Sequence, residues 1–438
     1  MKKYMYLLVL TLAITPFFAG CRSNSDAELG SLEHMLDVMA NVGAIDRELL
    51  DNIQEGVQEI ANQVAQEVAE AVTTTEAPAP ELETEPETEP ETEPYVRPPF
   101  PAIVNVATGT RHSIGLTASG AVYTWGAGGS GRLGNNDTEH QHYPTFVTNN
   151  MQRIAAGVAH TAAISNNGTL YMWGINEYGE LGLGHRDNML TPTPVMENVA
   201  YVALGYHFTA AITNDGALYM WGRNWDGQLG DDSIINRHEP TRIMENVIHV
   251  ATGNRHTLAV QSDNTLWAWG YGDRGQLGAN NRNSSQEPIM IREDALRVAA
   301  GFNTSFVLDQ GYTLWGWGQN QEGQLGNGRT DNRQLTPVRI MDGVAHMALG
   351  WGTAMAIRDD GSLWTWGHNA HGAVGDGTTS NRNNPIRILD NVITAATNVH
   401  HGIAVMDDGT IWGWGSNTYG QLGNGTTQGQ NRVERVDE

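Results

Sequence analysis

The chain has 438 residues and a net charge of −24, with 51 Gly and 13 Trp against only 7 Phe. An acidic balance of that size opposes a nucleic-acid partner, because phosphate binding needs a basic face. The single cysteine excludes an intramolecular disulfide, and the Gly and Trp bias points to a motif repeated once per structural unit.

The N-terminus reads as an export signal: Lys2 and Lys3 precede an apolar stretch from Tyr4 to Phe18 that is too short for a spanning helix. The run Phe18-Ala19-Gly20-Cys21 resembles a bacterial lipobox, which implies cleavage before Cys21 and lipidation of that residue. Residues 1–20 are therefore expected to be a lipoprotein signal peptide. The mature protein would be exported and lipid-anchored on the outer face of a bacterial membrane, in the cell envelope. Phe18 stands where that motif usually has an aliphatic residue, so an ordinary cleaved signal is the alternative.

Between Asp26 and Val72, apolar residues recur every three or four positions (Leu49, Ile53, Val57, Ile60, Val64, Val68), the period of an amphipathic helix. Residues 21–72 are read as a lipidated N-terminus and helical stalk. Its bare apolar stripe predicts self-association or contact with the membrane. Residues 73–99 follow as a disordered spacer in which Glu-Thr-Glu-Pro occurs three times, since proline and like charge oppose regular structure and nothing apolar is available to bury. From Arg22 to Pro94 there are 19 acidic and 2 basic residues, or −17, so the remainder from Tyr95, with 30 acidic and 21 basic, is only mildly acidic at −9.

Residues 100–438 carry the repeat. Trp125, Trp173, Trp221, Trp269, Trp317, Trp366 and Trp414 are spaced by 48 residues, once by 49. Each is followed by Gly and, eight positions on, by Leu-Gly or Val-Gly. A second aromatic lies two residues before each Trp, predicting one aromatic strand face that must be buried. Asn-Gly or Asp-Gly before that strand (Asn167-Gly168, Asp215-Gly216) predicts a tight hairpin. The preceding strand has small residues, as in Thr161-Ala162-Ala163-Ile164, which suits a position near a central axis. Eighteen residues before each Trp stands Ala, and two further on Gly, replaced once by Asn398, which suggests a left-handed backbone. A proline-marked fourth strand ends each unit. Val433–Val436 aligns with that fourth strand and Ala102–Ala107 with the strand that follows it, so the two terminal strands are expected to share a blade.

The pattern Gly-x-x-His-[Ser/Thr], a hairpin, then [Leu/Val]-[Tyr/Trp]-x-Trp-Gly-x-Asn-x-x-Gly-Gln-Leu-Gly is similar to the regulator of chromosome condensation repeat. Seven units in register imply an all-β fold, a seven-bladed β-propeller of four-stranded blades.

His112, His160, His256 and His401 share one repeat position and are read as structural, bonded to turn backbone. No nucleophile elbow, zincin helix or phosphate-cradling loop occurs, so no catalytic residue, cofactor or metal site is expected. In an up-and-down blade, the Gly-x-x-His turns and the loops around Leu-Gly emerge on one face. Two Trp outside the repeat core, Trp225 and Trp351, lie in those loops with Tyr178, Tyr206, Phe302 and Tyr419. Arg237, Arg282, Arg333 and Arg382, each preceded by Asn, lie there as well. Aromatic and Arg side chains are what interface hot spots use. The expected function is a non-enzymatic, surface-displayed binding or scaffold module whose loop face recognises a protein or envelope glycan. An inhibitor of a secreted enzyme is an alternative. Guanine nucleotide exchange, which the resemblance also suggests, is opposed by export, by the acidic N-terminal region and by a period too even to hold an inserted hairpin.

Overall fold

The computed structural model describes residues 100–437; the signal, lipid anchor, helical stalk and spacer read above lie outside the described residues. The chain forms seven antiparallel sheets, each of four consecutive strands. Blades 1 to 7 occupy residues 103–148, 151–196, 199–244, 247–292, 295–341, 344–389 and 392–435. The first strands of successive blades abut one another around a central axis, and the proline-marked fourth strands lie outermost, where a missing N–H costs no sheet bond.

Ring closure differs from the expectation. The first strand (Ile103–Thr108) belongs to the sheet of blade 1 and the last (Gln430–Arg435) to that of blade 7, so the termini do not share a blade. Blade 7 instead packs on blade 1 as any blade packs on its neighbour: Ile403, Val405, Ile411, Leu422 and Val436 form one buried cluster with Ile103, Val106 and Trp125. The strand of small residues is also displaced from its expected place. It is the second strand of each blade, buried on both faces between neighbours, as His160–Ser165 and Phe208–Thr213 show along their whole length. The invariant Ala belongs to the first strand instead.

The contact between blades explains the repeat. All seven Trp of the motif are fully buried, whereas the aromatic two residues earlier is half-buried in every blade. A buried indole contributes about 4–6 kcal/mol gross, and its N–H needs an acceptor. Each indole donates to a carbonyl on the preceding blade: Trp173 to Arg132 (3.0 Å), Trp221 to Glu180 (2.9 Å), Trp269 to Gln228 (2.9 Å) and, across the closure, Trp125 to Gln421 (2.9 Å). That carbonyl precedes the Leu-Gly pair, and the pair's Gly has positive φ in all seven blades. A methyl group there would meet the incoming indole, at 2.6 Å from Trp173 Nε1 for Gly134 and 2.9 Å from Trp125 Nε1 for Gly423. The Trp-Gly and Leu-Gly signatures are thus two halves of one contact.

The shared histidines extend it. His112 Nε2 lies 2.9 Å from Thr161 Oγ1, His256 Nε2 2.9 Å from Ser305 Oγ, His401 Nε2 2.9 Å from Ser113 Oγ and His160 Nε2 3.4 Å from Thr209 Oγ1, always on the next blade. The partner is therefore a neighbour's hydroxyl and not the turn backbone. Each hydroxyl spends its proton on the same carbonyl that the indole uses, as in Thr161 to Arg132 (2.8 Å). The imidazole must then donate from Nε2, leaving Nδ1 buried and without a partner in all four residues. The neighbouring positions agree with this requirement. Thr304 and Thr353 replace His in blades 5 and 6, and the facing residues there, Ala354 and Gly402, have no hydroxyl.

The expected left-handed turn after the invariant Ala is absent: Gly109, Gly157, Gly205, Gly253, Gly301, Gly350 and Asn398 all lack positive φ. Close approach selects glycine there instead. A methyl group at Gly109 would sit 2.6 Å from the Gly157 carbonyl oxygen, and at Gly157 2.8 Å from His160 Nδ1. Asn398 is tolerated at the closure, where its Nδ2 donates to Thr108 O (3.0 Å). In the hairpins only one residue is left-handed, Gly168 (φ 84) or its stand-ins Asn264 (φ 67) and Tyr312 (φ 59), completing a type I turn.

Gly423 and Gly409 have nearly equal φ, 79 and 83, but only Gly423 faces a neighbouring indole, and nothing lies within 4 Å of a methyl group at Gly409. Gly409→Ala should cost about 1 kcal/mol, the backbone strain alone, and Gly423→Ala at least about 2 kcal/mol more. Urea denaturation of the two variants checks this, and equal midpoints would refute the blade contact as described.

Burial holds His160 near 4 and His256 and His401 near 3. Between those values and the unfolded 6.5 the unfolded chain binds more protons, so stability is lost as pH falls below about 6.5, by roughly 2 kcal/mol per histidine at pH 5. His256→Phe, the residue blade 3 already uses as Phe208, should lower the melting temperature at pH 7.5 yet narrow its drop between pH 7.5 and 5. An unchanged drop would rule out His256 as an acid-sensitive group.

Candidate functional site

The alternating strand directions put two kinds of loop on one face: the short turns after the first strands and the long loops between third and fourth strands. The long loops are built on a buried Asn. Asn224, for example, donates from Nδ2 to the Ser233 carbonyl (3.0 Å) and Asp231 (2.9 Å), while its Oδ1 accepts from Leu229 N (2.9 Å). In two of the Asn-Arg pairs the Asn closes the loop: Asn236 and Asn381 accept from the backbone N–H of Asn224 and Asn369 at 2.9 Å. These internal bonds hold the loop tips in place without using their outward side chains.

Five of the expected aromatics come together on this face. Tyr178 of blade 2 lies edge-on to Trp225 of blade 3 (5.3 Å), Tyr206 of blade 3 faces Trp351 of blade 6 (6.4 Å), and Trp351 packs on Phe302 of blade 5 (4.4 Å). Tyr206, Phe302 and Trp351 all follow the close-packed Gly of a first-strand turn, so their rings gather over the end of the axis. Trp225 is 54 % and Trp351 41 % exposed.

Two further residues join them that the repeat alone did not single out. The Arg223 guanidinium lies 4.4 Å from the Trp225 ring centroid, 5.9 Å from Tyr206 and 6.0 Å from Tyr178, and its Nε is buried without a partner. His207 packs between Tyr178 (5.0 Å) and Tyr206 (4.6 Å), has φ of 65, and bonds Glu180 through Nδ1 at 2.6 Å. Glu180 is fully buried. Burial alone would raise its carboxyl, but the His207 hydrogen bond and the nearby imidazoles hold it below the usual range. A legible signal did exist: Glu180 stands where blades 3, 4, 5 and 7 have Gln228, Gln276, Gln324 and Gln421, and a carboxylate in place of an amide calls for a charged partner.

The remaining expected residues lie elsewhere. Tyr419 sits at the closure between blades 7 and 1, against His140 (5.2 Å) and Arg111 (5.1 Å). Three of the four arginines are engaged in their own loops and the fourth, Arg333, on the loop of the preceding blade. Arg237 pairs with Asp231 and Arg382 with Asp376, each at 2.6 Å from Nε, Arg282 pairs with Asp273, and Arg333 donates to the Asp273 carbonyl (3.1 Å). They brace loops before they can meet a partner. His400 lies 4.3 Å from His371, and burial with these neighbouring histidines lowers it to about 4. Among the described residues no group of three or more His, Cys, Asp and Glu is placed to hold a metal ion.

Comparison with known proteins matches the fold. The family model described as "RCC1-like domain" fits residues 81–296 and 197–437. Among solved structures, Prp20p from Saccharomyces cerevisiae, described with its binding properties to Gsp1p and histones, superposes with a TM-score of 0.63 at 20% identity, over 70% of this chain and 84% of that one. Yeast RCC1 (Prp20) bound to Kap60 gives a TM-score of 0.66 at 20% identity, over 80% and 91%, and human WBSCR16 gives 0.65 at 22%, over 72% and 94%. Among curated proteins, the human E3 ubiquitin-protein ligase HERC2 is 51% identical over 45 residues, 10% of this chain. The match spans only about 1% of the length of that relative.

Proposed function

The chain belongs to the RCC1-like domain family, and from that premise we propose that it is a non-enzymatic binding module that takes a protein partner on its loop face, through the patch formed by Tyr178, Tyr206, Arg223, Trp225, Phe302 and Trp351. One observation carries the reading: rings from blades 2, 3, 5 and 6 converge into a single patch that keeps two indoles about half-exposed, one of them under an arginine. An isolated exposed ring is ordinary, whereas a contiguous aromatic surface with a positioned guanidinium is the composition of an interface hot spot. The arginine lying on aromatic rings adds about 0.5–1 kcal/mol to its own placement and presents its remaining N–H donors to an acidic or carbonyl-rich partner. A protein is favoured over an envelope glycan because structural relatives have been solved with, or described by, protein partners.

Display outside the cell follows from the Cys21 reading. With Cys21 acylated, the spacer and stalk would hold the propeller away from the membrane surface, leaving the loop face free.

Replacing both Trp225 and Trp351 with Ala should leave the melting temperature within a few degrees of the parent, since neither ring is part of a blade core, while partners captured by crosslinking in the native host are lost. The same partners recovered undiminished would count against this face. Cells fed an alkyne palmitate analogue should label the parent chain and not Cys21→Ala; label that persists in the variant would remove the anchor from the proposal.

A further inference from the structure

The opposite end of the axis has a different chemistry. The seven first strands contain no Asp or Glu, although the propeller they line is acidic as a whole. Their third positions are Asn105, Arg153, Tyr201, His249, Arg297, His346 and Thr394, near the face of tight turns and away from the aromatic patch. A cavity of about 240 Å³ opens between the first strands of blades 3 to 6, lined by Tyr201, His249, Arg297 and His346 together with alanines of the invariant ring. Arg153 reaches the same cluster, its guanidinium 5.8 Å from the Tyr201 ring centroid, and the Tyr201 ring lies 4.9 Å from that of His249.

Positive charge here is not compensated from within. Arg153 and Arg297 form no ion pair among the described residues, and His249 Nδ1 is buried without a hydrogen-bond partner. On the same face, Glu245, Asp294, Asp342 and Asp390 of the tight turns are already engaged by Arg242, Arg292, Arg339 and Arg387. Burial lowers His249 to about 4 and His346 below its ordinary value, and the charge of Arg297 pushes both further in that direction. One guanidinium, two imidazoles and a phenol lining a small open cavity, with the second guanidinium of Arg153 beside the phenol, form a donor-rich site with no carboxylate to occupy it.

We propose that this end of the axis binds a small tetrahedral oxyanion, phosphate or sulfate, free or as the terminal group of a small molecule, held by Arg153 and Arg297 with Tyr201, His249 and His346 around it. The cavity is smaller than the roughly 300–1,000 Å³ of drug-sized pockets, which suits a group of this size. The loop-face reading plays no part in this site.

Calorimetric titration of the full chain at low salt with inorganic phosphate, sulfate and glycerol phosphate tests it. One equivalent should bind, and Arg153→Met with Arg297→Met should weaken the affinity by about tenfold or more, while Arg242→Met with Arg339→Met, on the same face, leaves it unchanged. Tighter binding of glycerol phosphate than of inorganic phosphate would identify a terminal group, and equal or weaker binding a free ion. Should the first pair fail to fold, phosphate added to the parent chain should shift the His249 and His346 imidazole resonances and leave that of His185, in a loop of the other face, in place. No binding of any of the three anions at millimolar concentration, equal weakening by both arginine pairs, or unmoved His249 and His346 resonances would each overturn the proposal.

Discussion

The fold depends on one contact repeated seven times, in which an indole from each blade enters the Leu-Gly turn of the blade before it and donates to the carbonyl beside it. A four-stranded blade by itself would leave two apolar faces in water, so no unit is complete without its neighbours. The geometry of the contact sets the rest: Trp must be followed by Gly, and the receiving turn must end in Gly with positive φ. The histidine-to-hydroxyl bonds supply a second donor network that converges on the same carbonyls at four of the seven interfaces; they are absent where the facing residue lacks a hydroxyl and at blade 3, where Phe208 stands in place of His.

Closure follows from the same interaction. Because blade 1 offers Trp125 and Ser113, and blade 7 offers the Gln421 carbonyl and His401, the last interface repeats the indole contact of the other six and the histidine bond of three of them. No strand has to be exchanged between the termini to seal the ring. Asn398, in place of the close-packed Gly, is the local adjustment at this interface, and its amide supplies an extra bond to blade 1.

A ring held by its blade contacts leaves both ends of the axis free to vary, and they have diverged. At the loop end the residues after the close-packed glycines are Tyr206, Phe302 and Trp351, and the rings meet because seven backbones converge there. At the other end the same convergence brings together Arg153, Tyr201, His249, Arg297 and His346. In both places the residues are far apart in sequence and become neighbours only through the radial symmetry of the ring. Departures from the repeat are the useful signals within such a chain: Glu180 for Gln, and Arg223 beside the two tyrosines, each mark a place where the local requirement is no longer that of the blade contact.

Periodicity alone was enough to read seven units of four strands, the identity of the buried Trp, and which loops share a face, because each of these rests on spacing within one unit and on the alternation of a strand. Five of the aromatic residues on that face were also legible, since an aromatic residue outside the strand core positions falls in the loops of that face. What lies between units was not. The partner of the shared histidines, the reason for glycine at position 109 and its equivalents, and the mode of closure all depend on the neighbouring blade, whose atoms are some 48 residues away. The same holds for the arginines of the Asn-Arg pairs: sequence places them on the loop face, but only the folded loops show that carboxylates and carbonyls beside them already occupy their donors. Sequence determined the unit, because its hydrophobic spacing is local. Tertiary structure decided the contacts between units and the two ends of the axis, because those are formed by residues that only the closed ring brings together.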